Sequence, residues 1–413
     1  MPHPTPEPAG LVWIEGGHVT TPTGFVAGGA YAGIKTYGDD PRLDIGILGG
    51  EGPLTVAGIF TKNAVTGISV TWDKAILAER RVVRGLVCNS GNANTVTGDQ
   101  GERDCAQMAA LAAARLGCDA REVLVGSTGV IGRLLPMDKV ERGLSEVALT
   151  SDGGLRFARA IMTTDTHEKQ FAAQIAAAGR TYTVGGCAKG AGMIHPDMAT
   201  MFAFLTTDAP ADPAWLEATL RDIASRTYNM IDVDMDTSTS DTALILASGL
   251  AGGEPLTAAH PAAAAVAAAL EAIAGRLARG VARDAEGATC LIEAVVEGAA
   301  SVEDARLVAR TITSSPLIKT MVTGRDPNWG RVMMAAGRSG ARFEAARTSV
   351  WIGDNEVLHV GQPTSADLGA VSRAMAGDDV QIRIHLGAGN AVATAWGCNL
   401  TAEYVSINAD YTT

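Results

Sequence analysis

The stretch "GGCAKGAGMIHPDMATMFAFLTTDAPA" (residues 185–211) sets one threonine, Thr200, between two methionines, directly after a glycine-rich loop and ahead of an apolar run. Two readings of Thr200 are open from residue types alone. In one it is an incidental hydroxyl packed at the start of a buried strand. In the other it is a nucleophile, and the Ala199–Thr200 bond before it breaks. A hydroxyl needs an adjacent base to attack at neutral pH. A threonine at a chain N-terminus carries its own, because a free α-amine titrates at about 7.7–8.0. Making that N-terminus requires the Thr200 hydroxyl to attack the Ala199 carbonyl, move the acyl group onto oxygen, and leave an ester for water to cleave. Ala199 is small enough for the approach, and Gly190 and Gly192 allow an unusual backbone upstream.

Other residues compete for chemical roles. "GGCAKGAG" lacks the GxxxxGK[ST] order of a phosphate cradle, and "GAGNAV" at residue 387 lacks the third glycine of a dinucleotide fingerprint, so a nucleotide site is set aside. His195 and Asp197 flank Thr200 on the upstream side, but an α-amine already supplies the base that His195 would provide. Thr128, in "STG" (residues 127–129), either caps a turn or helps hold an oxyanion, and both readings stand. Lys189 and Glu286 taken singly read as ordinary surface charges. The cysteines at 88, 105, 118, 187, 290 and 398 show no CxxC pairing and no histidine at metal-ligand spacing. They are expected to be free thiols, and no metal site is expected.

The elements that must position these residues follow from periodicity. "RVVRGLVCNSG" and "REVLVGSTGVIG" read as strands ending in glycine turns. Between them lies a helix capped near Asp99, with Cys105, Met108, Leu111, Ala112 and Leu116 on one face and Gly117 as its stop. Helices are expected over residues 213–225 and 262–278. "VQIRIHLGAGNAVATAWGC" reads as two strands meeting in a hairpin at residues 387–390, and "VWIGDNEVLHVG" as a hairpin around residues 353–355. Gly153-Gly154 and Gly252-Gly253 mark exposed turns. The chain is mixed α/β, with sheet on both sides of residue 200. Its 413 residues, 47% of them hydrophobic, suffice for more than one structural unit. A net charge of −12 with no basic stripe excludes a nucleic-acid binder. The N-terminal "MPHPTPEPAG" is no secretory signal, and the alanine-rich tract from residue 258 is interrupted by His260, Pro261 and Glu271, so no membrane span is expected. A cytoplasmic protein is the expectation.

Eight ordered segments carry a resemblance. "KGAGMIHPDMATMFAFLTTDA" is similar to the processing site of the ornithine acetyltransferase family, arginine-biosynthesis enzymes that also act as glutamate N-acetyltransferases. "NSGNANTVTG" (residues 89–98), "STGVIG" (127–132), "AIMTTDT" (160–166), "VDMDTSTSDT" (233–242), "RDAEGAT" (283–289), "SPLIKT" with "GRDPNWGR" (315–331) and "INADYTT" (407–413) resemble family segments in family order. The likeness runs from about residue 60 to the C-terminus and is loose before that. It implies Thr200 as nucleophile and Ala199–Thr200 as the self-cleaved bond, giving an α chain of residues 1–199 and a β chain of residues 200–413. It implies Thr128 and Gly129 as the oxyanion hole, and Thr163, Lys189, Thr200, Glu286, Asn408 and Thr413 as substrate contacts. Lys189 would meet an α-carboxylate, and Glu286 and the Asn408 amide oxygen the amines of ornithine. The implied fold is a layered α/β/β/α arrangement resembling N-terminal-nucleophile hydrolases, with a smaller additional domain.

The implied reaction moves acetyl from N2-acetylornithine to glutamate through acetyl-Thr200, with no metal or bound cofactor. A bifunctional member would also take acetyl-CoA as a co-substrate. The implied assembly is an α2β2 heterotetramer, with no nucleic-acid or membrane partner. The chain departs from the family pattern at Ala285 and Cys290, where glycine and lysine are expected, and at Met235 and Ser240, where glycine and asparagine are common. Cys290 lies close to Glu286 and puts the acyl acceptor in doubt. A self-processing amidase or aminopeptidase, or an unprocessed chain without catalysis, are the alternative readings.

Overall fold

The computed structural model describes residues 7–35, 42–79, 81–195 and 201–410. Its strands are, in chain order, β1 (Leu11–Trp13), β2 (Phe25–Ala30), β3 (Ile45–Phe60), β4 (Val82–Asn92), β5 (Val123–Val130), β6 (Lys169–Ala177), β7 (Arg180–Lys189) and β8 (Phe202–Thr207). They continue with β9 (Ile231–Asp232), β10 (Thr242–Ala247), β11 (Leu291–Ala299), β12 (Ser349–Ile352), β13 (Asn355–His359), β14 (Gln362–Pro363), β15 (Asp379–His385) and β16 (Ala391–Cys398). The helices are α1 (Ile68–Glu79), α2 (Gly98–Leu116), α3 (Met137–Glu146), α4 (Gly154–Ala160), α5 (Pro213–Arg226), α6 (Ala263–Arg283), α7 (Val302–Thr313), α8 (Pro316–Gly324), α9 (Gly330–Gly337), α10 (Leu368–Ala374) and α11 (Ala402–Asp410).

Nine strands form one sheet in the order β1-β6-β7-β8-β10-β3-β4-β5, with β2 also on β3. The 16-residue β3 is shared by two half-sheets. Its first part pairs with β2 and β4, its second part with β10, and the β3–β4 register shifts between Gly49 and Leu54. The sheet thereby folds over on itself. Because strand side chains alternate between faces, one set turns inward: Leu48, Leu86, Cys88 and Leu124 meet Phe202, Phe204, Leu244 and Leu246 in a common core. Contact between the halves is close enough that a Cβ on Gly126 of β5 would lie 3.1 Å from the Phe202 ring of β8. The alternate set turns outward under helices. Ile45, Ile47, Val87 and Val125 are covered by α2 and α3. Ala57, Ile59, Val184, Ala203 and Ile245 are covered by α5 and α6. The layers run α/β/β/α, in the mixed α/β class the sequence leads one to expect.

The smaller sheet, ordered β14-β13-β12-β15-β11-β16-β9, is reached through α6, which packs on β6 and β7 on one side and on β16 and β9 on the other. Burial between two sheets explains why α6 is rich in alanine: small side chains let both sheets approach. Among the described residues no helix is long and apolar enough to cross a membrane.

Three local expectations need correction. The strands at residues 379–398 are not a hairpin: β11 lies between them, parallel to β15 and antiparallel to β16. Its Leu-Ile-Glu-Ala-Val-Val run is buried along most of its length, which suits a central strand. Gly153-Gly154 is buried rather than exposed, since a Cβ on Gly153 would overlap the Ala27 carbonyl and one on Gly154 would lie 2.7 Å from the His18 ring. Asp99 falls in the first turn of α2, whose N-cap is Thr97.

Candidate active site

Strand β5 runs parallel to β4, with Ser90 opposite Thr128 and Gly91 opposite Gly129, and the pairing ends in an irregularity at Asn92, opposite Val130. Gly129 has φ +129°, and a Cβ there would lie 2.4 Å from the Gly91 carbonyl carbon, so no other residue fits. The "NSGNAN" segment beside it is held by its own amides. Asn92 Nδ2 donates to the carbonyls of Arg133 (3.0 Å) and Leu134 (2.9 Å). Its Oδ1 accepts from Asn94 N–H (2.8 Å), and Asn94 Nδ2 donates to Gly101 O (3.0 Å). Both β4 and β5 therefore end rigidly at the same place, with Thr128 and Gly129 turned into a cleft.

Lys189, at the end of β7, is buried on the opposite wall. Its ammonium donates to Thr163 Oγ1 (3.4 Å) and lies 5.5 Å from the centroid of the Phe202 ring. Burial pulls its pKa down from the usual lysine value, while the carboxylates of Asp165 and Asp241 oppose the shift. Asp165 organises this wall. Its Oδ1 accepts from Lys169 Nζ (2.7 Å) and Gly190 N–H (2.7 Å), and its Oδ2 from Thr163 N–H (2.9 Å). Burial alone would raise its pKa, but the Lys169 and Lys189 ammoniums and these bonds override it and hold it at about 2.

Glu286 lies on the loop after α6, and its amide donates to Ala191 O (2.9 Å). Gly192 passes so close that a Cβ there would sit 2.5 Å from the Glu286 carboxylate. Asn408, on α11, donates through Nδ2 to Glu286 Oε2 (2.8 Å) and to Tyr404 O (3.0 Å). With both amide hydrogens engaged, that side chain has only its oxygen to offer a ligand. Asp234 anchors the last wall, accepting from Met193 N–H (2.6 Å) and Ile194 N–H (2.9 Å), with the Tyr404 hydroxyl at 3.4 Å. Burial raises the Asp234 carboxyl, and it raises the Asp241 carboxyl well above the usual range. One Asp241 oxygen is buried and has no hydrogen-bond partner among the described residues.

These walls form an open cleft whose lining includes Thr128, Gly129, Thr163, Lys189, Glu286, Asn408 and Met201. Six residues singled out in the sequence thus come together from five separate segments. Ala199, Thr200 and Thr413 lie outside the described residues. Met201, the next residue after Thr200, is buried at the cleft, and its carbonyl accepts from Thr242 N–H (3.0 Å). His195 is absent from the lining. Its Nδ1 meets Asp232 Oδ1 (2.8 Å) and its Nε2 meets the Arg310 guanidinium (3.1 Å). Arginine can only donate, so Nε2 accepts and Nδ1 carries the proton, leaving neither nitrogen available as a base. Cys290 is also outside the lining, buried beside Asn399, whose Oδ1 accepts from its N–H (3.1 Å). The sequence reading missed Asp165, Asp234 and Asp241 as individuals. Asp165 with the Gly190 amide, and Asp234 with the Met193 and Ile194 amides, are brought together only by the fold, so residue types and spacing give no signal for them.

Residues 26–413 match the ArgJ family. The chain is 47% identical over 405 residues to the arginine biosynthesis bifunctional protein ArgJ of Symbiobacterium thermophilum, covering 98% of this chain and 100% of the relative. It is 45% identical over 400 residues to the protein of that name from Dehalococcoides mccartyi, covering 97% and 98%. Among solved structures, an ornithine acetyltransferase complexed with ornithine from Mycobacterium tuberculosis is 40% identical, covers 46% of this chain and 100% of its own, and has a TM-score of 0.42.

Proposed function

The chain belongs to the ArgJ family, and from that premise we propose that its cleft carries acetyl from N2-acetylornithine to glutamate on Thr200. The protein is an acyltransferase of arginine biosynthesis, a glutamate N-acetyltransferase. The reading is carried by one observation: two groups suited to an oxyanion, one buried ammonium and a carboxylate–amide pair all face one cleft that Met201 also lines.

In this reading the chain first cleaves itself between Ala199 and Thr200. The α-amine so freed takes the Thr200 hydroxyl proton as the oxygen attacks the acetyl carbonyl of acetylornithine. Thr128 and the backbone of Gly129 stabilise the oxyanion, a contribution of roughly 3–4 kcal/mol per donor in comparable sites. The tetrahedral intermediate collapses to acetyl-Thr200, and ornithine departs with the proton. Glutamate binds in turn, its amine attacks the ester, and N-acetylglutamate leaves with Thr200 regenerated. Lys189 meets the α-carboxylate of either amino acid. Glu286 and the Asn408 oxygen take the ammonium of ornithine. As a bifunctional enzyme the chain also accepts acetyl from acetyl-CoA. The two pieces stay associated, in an α2β2 assembly.

The test is the denatured mass of fresh protein beside a Thr200→Ala variant, followed by incubation with acetylornithine alone. Two fragments meeting at residues 199 and 200, an intact variant, and one acetyl group on the peptide that begins with Thr200 are the expected results. An uncut wild type overturns the nucleophile assignment. Acetyl release that does not depend on added glutamate would point instead to an amidase.

A further inference from the structure

Self-cleavage needs a base that the mature chain does not. Until the bond before Thr200 breaks, residue 200 has no free α-amine, and a threonine hydroxyl is a weak nucleophile without a neighbouring base. His195 is engaged at both ring nitrogens. Of the acids lining the cleft, Asp234 holds the Met193 and Ile194 amides and Glu286 holds Asn408. Asp236 is exposed, where a carboxylate keeps its ordinary weak basicity. Asp241 differs from all of these. It lines the cleft, is 2% exposed, and its Oδ2 is buried with no hydrogen-bond partner among the described residues. A buried carboxyl oxygen without a donor is costly, and such a group calls for an explanation.

The large sheet places this acid beside the cut. Strand β10 runs parallel to β8 with Thr242 opposite Phe202, and Thr242 N–H donates to Met201 O (3.0 Å). One residue back along both segments, Asp241 is level with Met201, across the spacing of about 4.8 Å between neighbouring strands. The peptide bond in turn keeps residue 200 about 3.8 Å from Met201, Cα to Cα. On its other side the Asp241 carbonyl accepts from Thr61 N–H (3.0 Å), so its backbone is tied to both neighbouring strands. The groups that act on the carboxyl are the Lys189 ammonium, from the end of β7, and the hydroxyls of Thr61 and Ser238. Burial outweighs all three and raises its pKa well above the usual range, so its ionised form is a stronger base than an exposed carboxylate.

We infer that Asp241 is the general base of self-cleavage, taking the Thr200 hydroxyl proton in the uncut chain. The inference rests on the cut proposed above and supplies the group that initiates it. The Asp241 carboxylate accepts the proton as the Thr200 oxygen bonds to the Ala199 carbonyl carbon. The C–N bond then breaks, and Asp241 returns the proton to the departing nitrogen, leaving an ester and a free amine. Water attacks the ester while Asp241 takes one of its protons. The bond from the Thr200 oxygen to the acyl carbon breaks, that oxygen regains the proton, and Ala199 ends as a carboxylate. Asp241 finishes as it began, and the new α-amine takes over as base for acetyl transfer.

The test follows the cut itself. Full-length chain is labelled during cell-free synthesis, shifted to a chosen pH, and sampled over time by denaturing electrophoresis. Asp241→Asn, nearly the same size and unable to act as a base, should cut roughly 10²–10⁴-fold more slowly than wild type. The wild-type rate should climb with pH along a limb whose midpoint lies well above 3.8, and Asp241→Asn should lack that limb. Asp241→Ala leaves a space the size of one carboxylate, so added formate should restore its cutting in proportion to concentration, which a misfolded chain could not show. Wild-type cutting in Asp241→Asn, a limb that survives the substitution, or a slow Asp241→Ala that formate does not relieve overturns the assignment and leaves the parent reading standing. A wild type that never cuts overturns both.

Discussion

Replacing Asp165 by asparagine should damage stability and substrate binding together, by amounts the geometry sets. The carboxylate is buried and receives Lys169 Nζ, Gly190 N–H and Thr163 N–H at 2.7–2.9 Å. Asparagine is nearly the same size but keeps one acceptor oxygen and no charge. Breaking a buried ion pair by removing one partner costs about 3–5 kcal/mol. Lys169 retains Asp284, at 2.6 Å from its Nζ, so the lower end applies, about 3 kcal/mol. A second route gives a similar figure. The Asp165 carboxyl falls from 3.8 to about 2 on folding, which at about 1.4 kcal/mol per unit corresponds to about 2 kcal/mol. Since the folded pKa is depressed, that part of the stability is fully present above pH 3.8 and disappears as the pH falls through about 2. Urea unfolding of wild type and Asp165→Asn at pH 7 should therefore differ by about 3 kcal/mol, a gap that narrows between pH 4 and pH 2. The same variant loosens Thr163 and the Lys189–Gly190 turn, so KM for acetylornithine should rise more than kcat falls. A stability difference below about 0.5 kcal/mol, the range of an ordinary surface change, would refute the view that Asp165 holds this wall.

Three further outcomes are expected. Gly129→Ala forces a Cβ against the Gly91 backbone and should lower kcat by about 10²–10³ with KM little changed, the signature of a lost oxyanion donor; steady-state kinetics on soluble, folded variant decide it. Gly192→Ala pushes the Glu286 carboxylate away from Asn408, and losing a charge-assisted hydrogen bond of about 1.5–3 kcal/mol should reduce kcat/KM for acetylornithine roughly 10- to 150-fold. Burial lowers the Lys189 pKa, so its ammonium is lost at a pH below that of an ordinary lysine. The KM of either amino-acid substrate should accordingly climb on an alkaline limb that begins below pH 10.5, and the limb should be missing from Lys189→Met.

What could be read from the sequence was local. The helices α2 and α5 lie where their apolar period puts them, whereas "STG", which reads as a turn, continues β5 on to Val130. The hairpin at residues 353–355 forms as expected, with Ile352 opposite Asn355. What could not be read depends on segments distant in the chain. Nothing between residues 379 and 398 announces that β11, some 80 residues earlier, will separate the two strands. Gly153-Gly154 looks like a surface turn until Ala27 and His18 are packed against it. The acids were hidden for a related reason. Asp165 becomes decisive only when Lys169, Lys189 and the Gly190 amide converge on it, and an aspartate within "TTDT" gives no sign of such company.

The place of β8 and β10 in the large sheet carries a consequence for the life of the molecule. Both strands follow residue 200, yet they lie between β7 and β3, which precede it, paired to β7 over residues 202–207 and to β3 over residues 242–247. A chain cut between residues 199 and 200 cannot release either piece without opening two ladders and exposing the edges they cover. The cut would be silent while the molecule stays folded and irreversible in effect once it unfolds. An intact chain recovers from denaturant alone, at a rate independent of its concentration. Two pieces must find each other while their open edges also find strangers, so recovery becomes second order and aggregation competes with it. Maturation would thus convert a protein that can refold into one that has a single chance to be correct.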